Sequence, residues 1–105
     1  MSLQKINATT FRSAIREKEV TFVDFSAQWC PPCKVLHPIL EELQREEGSR
    51  LSILHLDCDE SPEIAAEFGV MSMPTVIVFH NGEPVDKLVG LRPKGVYLAA
   101  LSRYA

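Results

Sequence analysis

The chain has 105 residues, 46% hydrophobic and 24% charged, with a net charge of −3 at pH 7. That length fits a single domain over 1–105, with a core large enough to form without disulfides or metals. Mixed charges without a basic stripe argue against nucleic acid, no apolar run reaches the ~18–20 residues that cross a bilayer, and three cysteines are too few and too odd for a secreted disulfide framework.

The N-terminus, "MSLQKINATT", lacks the apolar centre of a signal peptide, so the expected location is the cytoplasm. Asn7, followed by Ala8, Phe11, Ala14 and Ile15, reads as a short amphipathic helix capped by Asn7. "VTFVDF", Val20 to Phe25, is almost continuously apolar and rich in β-branched and aromatic residues, which suits a central strand buried on both faces. Asp24 is the one acid inside it. From Cys33 to Glu47, Leu36, Ile39, Leu40 and Leu43 recur at helical spacing, with Pro38 as an internal kink and Gly48 as the stop.

"LSILHL", Leu51 to Leu56, is a second buried strand. A helix follows in "DESPEIAAEFG", with Ser61 as its cap, Pro62 in the first turn, Glu63 at the positive end and Gly69 closing it. "TVIVFHNGEPVDKLVG" holds two strands joined by Asn81-Gly82, a strong hairpin signal, and Pro84 marks the second as an edge strand. Pro93 to Tyr104 carries Val96, Tyr97, Leu98, Ala100 and Leu101 and reads as a last helix. A βαβ unit followed by ββα predicts an α/β fold with a mixed sheet and helices on both faces.

The chemistry concentrates in "AQWCPPCK", Ala27 to Lys34. Cys30 follows a buried strand and precedes a helix, where free N–H groups and the helix dipole favour a thiolate, the nucleophilic form of cysteine. Pro31 and Pro32 fall in the first turn, where a missing N–H breaks no helical bond. They stiffen the start of the helix but remove donors that would hold the thiolate. Cys30 is expected to be exposed at the helix tip, Cys33 to turn back beneath it, and Trp29 to cover one side of the pair. Structural zinc needs about four ligands. Cys58, His37, His55 and His80 are available, but no second closely spaced pair exists, so no metal is expected. An inert staple closing so short a loop removes little unfolded-state entropy. The position favours a redox-active dithiol.

These residues resemble the thioredoxin family. The resemblance rests on "VDFSAQWCPPCK" from Val23 to Lys34, "MPT" from Met73 to Thr75, the Asn81-Gly82 turn and Val89-Gly90 before the last helix, and it covers essentially the whole chain. It implies the thioredoxin fold, a central mixed sheet of four to five strands flanked by four helices, with the fifth strand an edge near Gln4 to Ile6. It implies that Cys30 attacks, that Cys33 resolves, and that Asp24 is the buried acid serving the pair. The position of Asp24 on the strand leading to Cys30 favours that role over a merely hydrogen-bonded core acid. Pro74 matches the cis-proline facing the dithiol, with the Met73 backbone beside it free to pair with an extended target. Trp29, Pro31, Met73, Pro74 and Gly90 are the implied target-binding residues, and Met71 and Val89 are candidates for an apolar rim beside them.

Three positions depart from the family pattern. Pro31 replaces the usual glycine, which bears on the reduction potential. Ser26 stands where a tryptophan is frequent. His55 replaces the lysine that usually neighbours the buried acid; it reads as a half-buried strand histidine with an ordinary hydrogen bond, the alternative being proton movement at Cys33. Cys58, between Asp57 and Asp59, reads as a packing residue whose thiolate is disfavoured. The expected function is protein-disulfide reduction by dithiol exchange. No bound cofactor is expected, because the cysteines carry the electrons. The expected partners are disulfide-containing target proteins and an NADPH- and flavin-dependent thioredoxin reductase; nucleic acid and membrane are not expected, and the protein is expected to be a monomer. The alternatives are an oxidase or isomerase of exported proteins and a non-catalytic interaction module.

Overall fold

A computed structural model describes residues 3–105. The elements run β1 (Gln4–Ile6), α1 (Phe11–Ala14), β2 (Val20–Ser26), α2 (Pro31–Glu47), β3 (Ser52–Asp57), α3 (Pro62–Glu67), β4 (Thr75–His80), β5 (Glu83–Val89) and α4 (Lys94–Tyr104). They form one five-stranded sheet in the order β1-β3-β2-β4-β5. β1, β3 and β2 are mutually parallel, and β4 and β5 are antiparallel additions on the other side. This is the expected mixed sheet with four helices, including the short N-terminal edge strand.

β2 is central, and all seven of its residues are buried. Alternation divides its side chains between two layers. Val20 and Phe22 pack with Leu36, Leu40 and Leu43 of α2 and with Tyr97 and Leu101 of α4. Val23 and Phe25 pack on the opposite face with Phe11, Ile64 and Phe79. The period of two therefore puts Asp24 on the Phe22 side, under α2 and α4. His55 follows Ile53 by two residues on β3 and lies on that same side.

Several local signals act differently from expectation. Asn7 caps a turn ahead of α1: its Oδ1 accepts from the backbone N–H groups of Thr9 and Thr10, and the helix begins at Phe11. Ser61 occupies the N-cap of α3 but makes no side-chain cap bond; its Oγ accepts from the Ala8 N–H instead, tying the N-terminal segment to α3. Gly48 sits at the end of α2 in ordinary helical conformation, φ −62°. What demands glycine there is space, since a Cβ would lie 2.7 Å from the Gln44 carbonyl oxygen. The hairpin follows its signal: Asn81 and Gly82 take φ of 51° and 83°, the pair of positive values a tight two-residue turn needs. Pro84 lies on β5, the sheet edge, beside a register shift opposite Val78 and Phe79.

Candidate active site

Cys30 is the N-cap of α2, and its Sγ accepts from the Cys33 N–H at 3.3 Å. The Lys34 N–H binds the Cys30 carbonyl at 3.4 Å, closing the first turn. Pro31 and Pro32 have no N–H to offer. Among the described residues a single backbone donor thus faces Cys30 Sγ, at the positive end of a seventeen-residue helix. Cys30 and Cys33 form a disulfide, with Cα atoms 5.3 Å apart.

The expected exposure of Cys30 is corrected here: both cysteines are only 2% exposed. The physical reason is packing. Ala27, Cys30 and Cys33 make a small apolar cluster, and Met73 packs against it from the β4 side. Cys30 still lies at the helix tip, but its accessible surface in the disulfide form is a narrow one. The large exposed apolar side chains include Trp29 at 65%, Met71 at 94% and Val89 and Leu91 at about half that. The Trp29 indole Nε1–H donates to Asp59 Oδ2 at 2.8 Å, a tie between the β2–α2 and β3–α3 turns that no local sequence signal announces.

The Met73–Pro74 peptide bond is cis. The Pro74 carbonyl accepts from the Gly90 N–H at 2.8 Å, and Gly90 has φ +84°, so the glycine after β5 holds the loop before β4 in place. Thr75 Oγ1 donates to the Ser72 carbonyl across the same loop at 2.7 Å. The Met73 backbone makes no hydrogen bond with the other described residues.

Asp24 is fully buried, and neither of its carboxylate oxygens has a hydrogen-bond partner among the described residues. Burial pushes its pKa up to about 7. Asp24 pairs in register with His55 on β3. His37, on α2, meets the His55 ring edge-on at 5.5 Å between centroids. Oxygen and ring nitrogens of Asp24, His37 and His55 come within 4.8 Å of one another. A cavity of about 170 Å³, lined by Cys33, His37, His55, Ser26 and Ala27 among others, opens above them. His55 is pulled below the usual histidine range by burial first and by the neighbouring His37 second. Its ring makes no hydrogen bond with a described residue, unlike the locally satisfied strand histidine the sequence suggested.

Cys58 is buried in the α1–α3 layer and is the free cysteine. Its thiol is pushed up to about 11, by desolvation first and then by Asp57, Asp24 and Asp59. His80 pairs with Glu19 at 2.9 Å, far from the cysteines along the hairpin.

A dithiol–disulfide pair at the tip of a helix, with a cis-proline loop packed against it and a buried carboxyl on the strand that leads to it, defines a thiol–disulfide oxidoreductase of the thioredoxin fold. The comparisons agree. The thioredoxin family model matches residues 2–103. The thioredoxin of Staphylococcus epidermidis is 51% identical over 94 residues, 90% of this chain and 89% of that one. The thioredoxin of Staphylococcus aureus is 49% identical over the same span and shares of each chain. Among solved structures, a mutant thioredoxin from Halobacterium salinarum superposes with a TM-score of 0.92 at 28% identity, covering 98% of this chain and 90% of that one. Mitochondrial thioredoxin 3 of Saccharomyces cerevisiae, in its oxidised form, gives a TM-score of 0.87 at 31% identity, covering 96% and 94%. The chain belongs to the thioredoxin family, and it is a protein-disulfide reductase working through its Cys30–Cys33 pair. Members of the family carry electrons on the cysteine pair itself, act on disulfide-containing targets and are recharged by a reductase; they bind no organic cofactor.

Proposed function

We propose that Cys30 is the attacking sulfur, Cys33 the resolving sulfur and Asp24 the acceptor of the Cys33 proton. The observation that carries this assignment is the asymmetry of the pair: Cys30 caps α2 and takes its first free N–H, whereas Cys33 lies one turn inside and lines the cavity above the Asp24 side of the sheet. The Cys30 thiolate attacks one sulfur of a target disulfide; a mixed disulfide forms and one target thiolate leaves. Asp24, through a water, takes the proton from Cys33. The Cys33 thiolate then attacks Cys30 Sγ, the Cys30–Cys33 disulfide forms, and the second target thiolate leaves. The target gains two electrons and two protons in all.

Trp29, Met71, Met73 and Val89 supply an apolar rim for the target, with Pro31 and Gly90 bordering it. The unused Met73 backbone supports pairing with an extended target segment. A radius of gyration of 12.2 Å, close to the ~13 Å of a single domain of this size, supports one domain. The domain reading over 1–105 includes Met1 and Ser2, which lie outside the described residues. The recharging partner is a flavin- and NADPH-dependent thioredoxin reductase. Among the described residues no helix is long and apolar enough to cross a membrane, and the bacterial thioredoxins among the relatives support a cytoplasmic site of action.

The test is insulin reduction driven by dithiothreitol, followed by turbidity, with Cys30→Ser and Cys33→Ser variants. Cys30→Ser is expected to lose turnover. Cys33→Ser is expected to form a trapped mixed disulfide through Cys30 that mass spectrometry detects. Trapping through Cys33 in the Cys30→Ser variant instead would reverse the assignment.

A further inference from the structure

We propose that Asp24, His37 and His55 form a divalent-cation site, suited to Zn2+, which Cys33 Sγ completes when the dithiol is reduced. Three elements converge to make it. The parallel register of β2 and β3 sets Asp24 beside His55. α2 crosses that face and carries His37 four residues after Cys33, so sulfur and imidazole project from the same side of the helix. The donor atoms of the acid and the two histidines already lie within 4.8 Å of one another. A four-coordinate zinc ion holds its ligand atoms ~3.3–3.6 Å apart, given zinc–nitrogen and zinc–sulfur bonds of about 2.0–2.3 Å. His37 and His55 border the same cavity as Cys33, so rotamer adjustment of these side chains has room to bring the donors together around an ion.

Asp24 supplies the second observation. Neither oxygen of the buried Asp24 carboxyl is hydrogen-bonded among the described residues, so when it ionises it is an anion that lacks compensation. A cation between it and the histidines would provide that. The donor set, one carboxylate oxygen, two imidazole nitrogens and one thiolate, is a zinc set by type and number. With Asp24 and Cys33 both anionic and the histidines neutral, the charges of the ligands and Zn2+ cancel, which a buried site favours. The cavity lined by Cys33, His37 and His55 gives the ion its way in. At its mouth stand Asp57, which attracts a cation, and the ammonium groups of Lys34 and Lys5, the latter paired with Glu60 at 2.9 Å. Glu41 Oε2 lies 3.6 Å from His37 Nε2 and flanks that ring, as carboxylates flank many ligating histidines.

The consequence is a reversible block. Zn2+ in this site occupies the resolving sulfur and the carboxyl that serves it, so the reduced protein is held out of turnover. Because the oxidised protein has no Cys33 thiolate, the ion binds the reduced form more tightly and stabilises it. The block of turnover rests on the dithiol roles proposed above; the redox preference rests on the Cys30–Cys33 disulfide itself.

Co2+ is the probe, because a tetrahedral site with a thiolate ligand gives visible d–d bands and a near-ultraviolet sulfur-to-cobalt charge-transfer band. The full chain, reduced and freed of metal, is titrated with Co2+ and then with Zn2+. The expected result is one Co2+ per chain with both signatures, displaced by one Zn2+, and binding at least about tenfold weaker in the oxidised protein. His37→Ala, on a partly exposed helix position, and His55→Gln should each weaken binding by at least about tenfold, the size seen when zinc sites lose supporting groups. His80→Ala should leave it unchanged. Absence of a one-to-one complex in the reduced protein would overturn the proposal. So would a complex that His37→Ala and His55→Gln leave at full affinity, since the two cysteines alone would then hold the metal. Insulin reduction in chelator-treated buffer reads the dithiol chemistry separately, so a failed metal site and a failed reductase are told apart.

Discussion

β2 and β3 run side by side in the same direction, and each hands over to a helix through a turn that carries a cysteine. The two ends are even bonded together, the Cys58 N–H donating to the Ser26 carbonyl at 2.9 Å. Yet their chemistry differs. After β2 the cysteine is itself the N-cap, so its sulfur meets a helix N–H and the positive end of a dipole. After β3 the cysteine comes three residues before the N-cap, which is Ser61. Asp57 there bends the chain by accepting from the Asp59 and Glu60 N–H groups, and the acids that build the turn surround the thiol with negative charge. The fold offers two similar places for a cysteine. A displacement of three positions relative to the helix start decides which one is reactive.

The largest expected effect separates the two ends directly. Cys30→Ser should reduce insulin turnover to background, because no other sulfur can open the target disulfide. Cys58→Ser should keep turnover within about twofold and cost about 1 kcal/mol of stability, the scale of a small packing change in a buried site. Loss of turnover in Cys58→Ser would erase the distinction.

Asp24 gives the next effect, measured in chelator-treated buffer. Its folded pKa of about 7 lies above the ordinary 3.8. The folded chain therefore holds this proton more tightly than the unfolded chain does. The stability this adds is full below about pH 4 and is lost as pH rises toward 7, a loss of about 4 kcal/mol at ~1.4 kcal/mol per unit of pH. Asp24→Asn should raise the free energy of unfolding at pH 8 by up to several kcal/mol and change it little at pH 4, read from urea melts at both. The same variant should slow release from the mixed disulfide by about 100-fold, the lower end of general-base contributions, and remove the rise in that rate through pH 7.

Alkylation sharpens the contrast between sulfurs. With its thiol at about 11, Cys58 is about one part in a thousand thiolate at pH 8, from the one-decade-per-pH-unit titration law. In the reduced protein, iodoacetamide should label Cys30 at least about 100-fold faster than Cys58, counted by mass spectrometry of peptides; comparable rates would contradict the electrostatic account. The smallest effect concerns the tie between the two ends. Trp29→Phe removes the indole donor to Asp59 at an exposed site. It should lower the Tm by only a few degrees, in keeping with the ~1 kcal/mol of a single hydrogen bond.

What the sequence discloses follows the range of the interactions. The hairpin was legible because Asn81-Gly82 carries its own backbone requirement, and the start of α2 because prolines are tolerated in a first turn. Asp24 stood out as a lone acid in an apolar strand. Ser61 misled because a residue suited to capping also suits a long-range bond, here to Ala8, and only the packing of the N-terminal segment on α3 selects between them. The burial of Cys30 depends on Met73, forty-three residues away, closing over the cluster. The meeting of Asp24, His37 and His55 needs the register of two strands and the phase of a helix together, and none of the three carries a local signal for it.

The most direct test of the central claim, that Cys30 and Cys33 cycle as a reducing dithiol pair, is redox equilibration against dithiothreitol and glutathione couples. The single tryptophan, Trp29, is next to the pair and reports its state by fluorescence. The account predicts one two-electron transition with a potential near about −270 mV, in the range of reducing members of the fold. No transition at all, or one near about −120 to −180 mV where oxidases and isomerases lie, would contradict it.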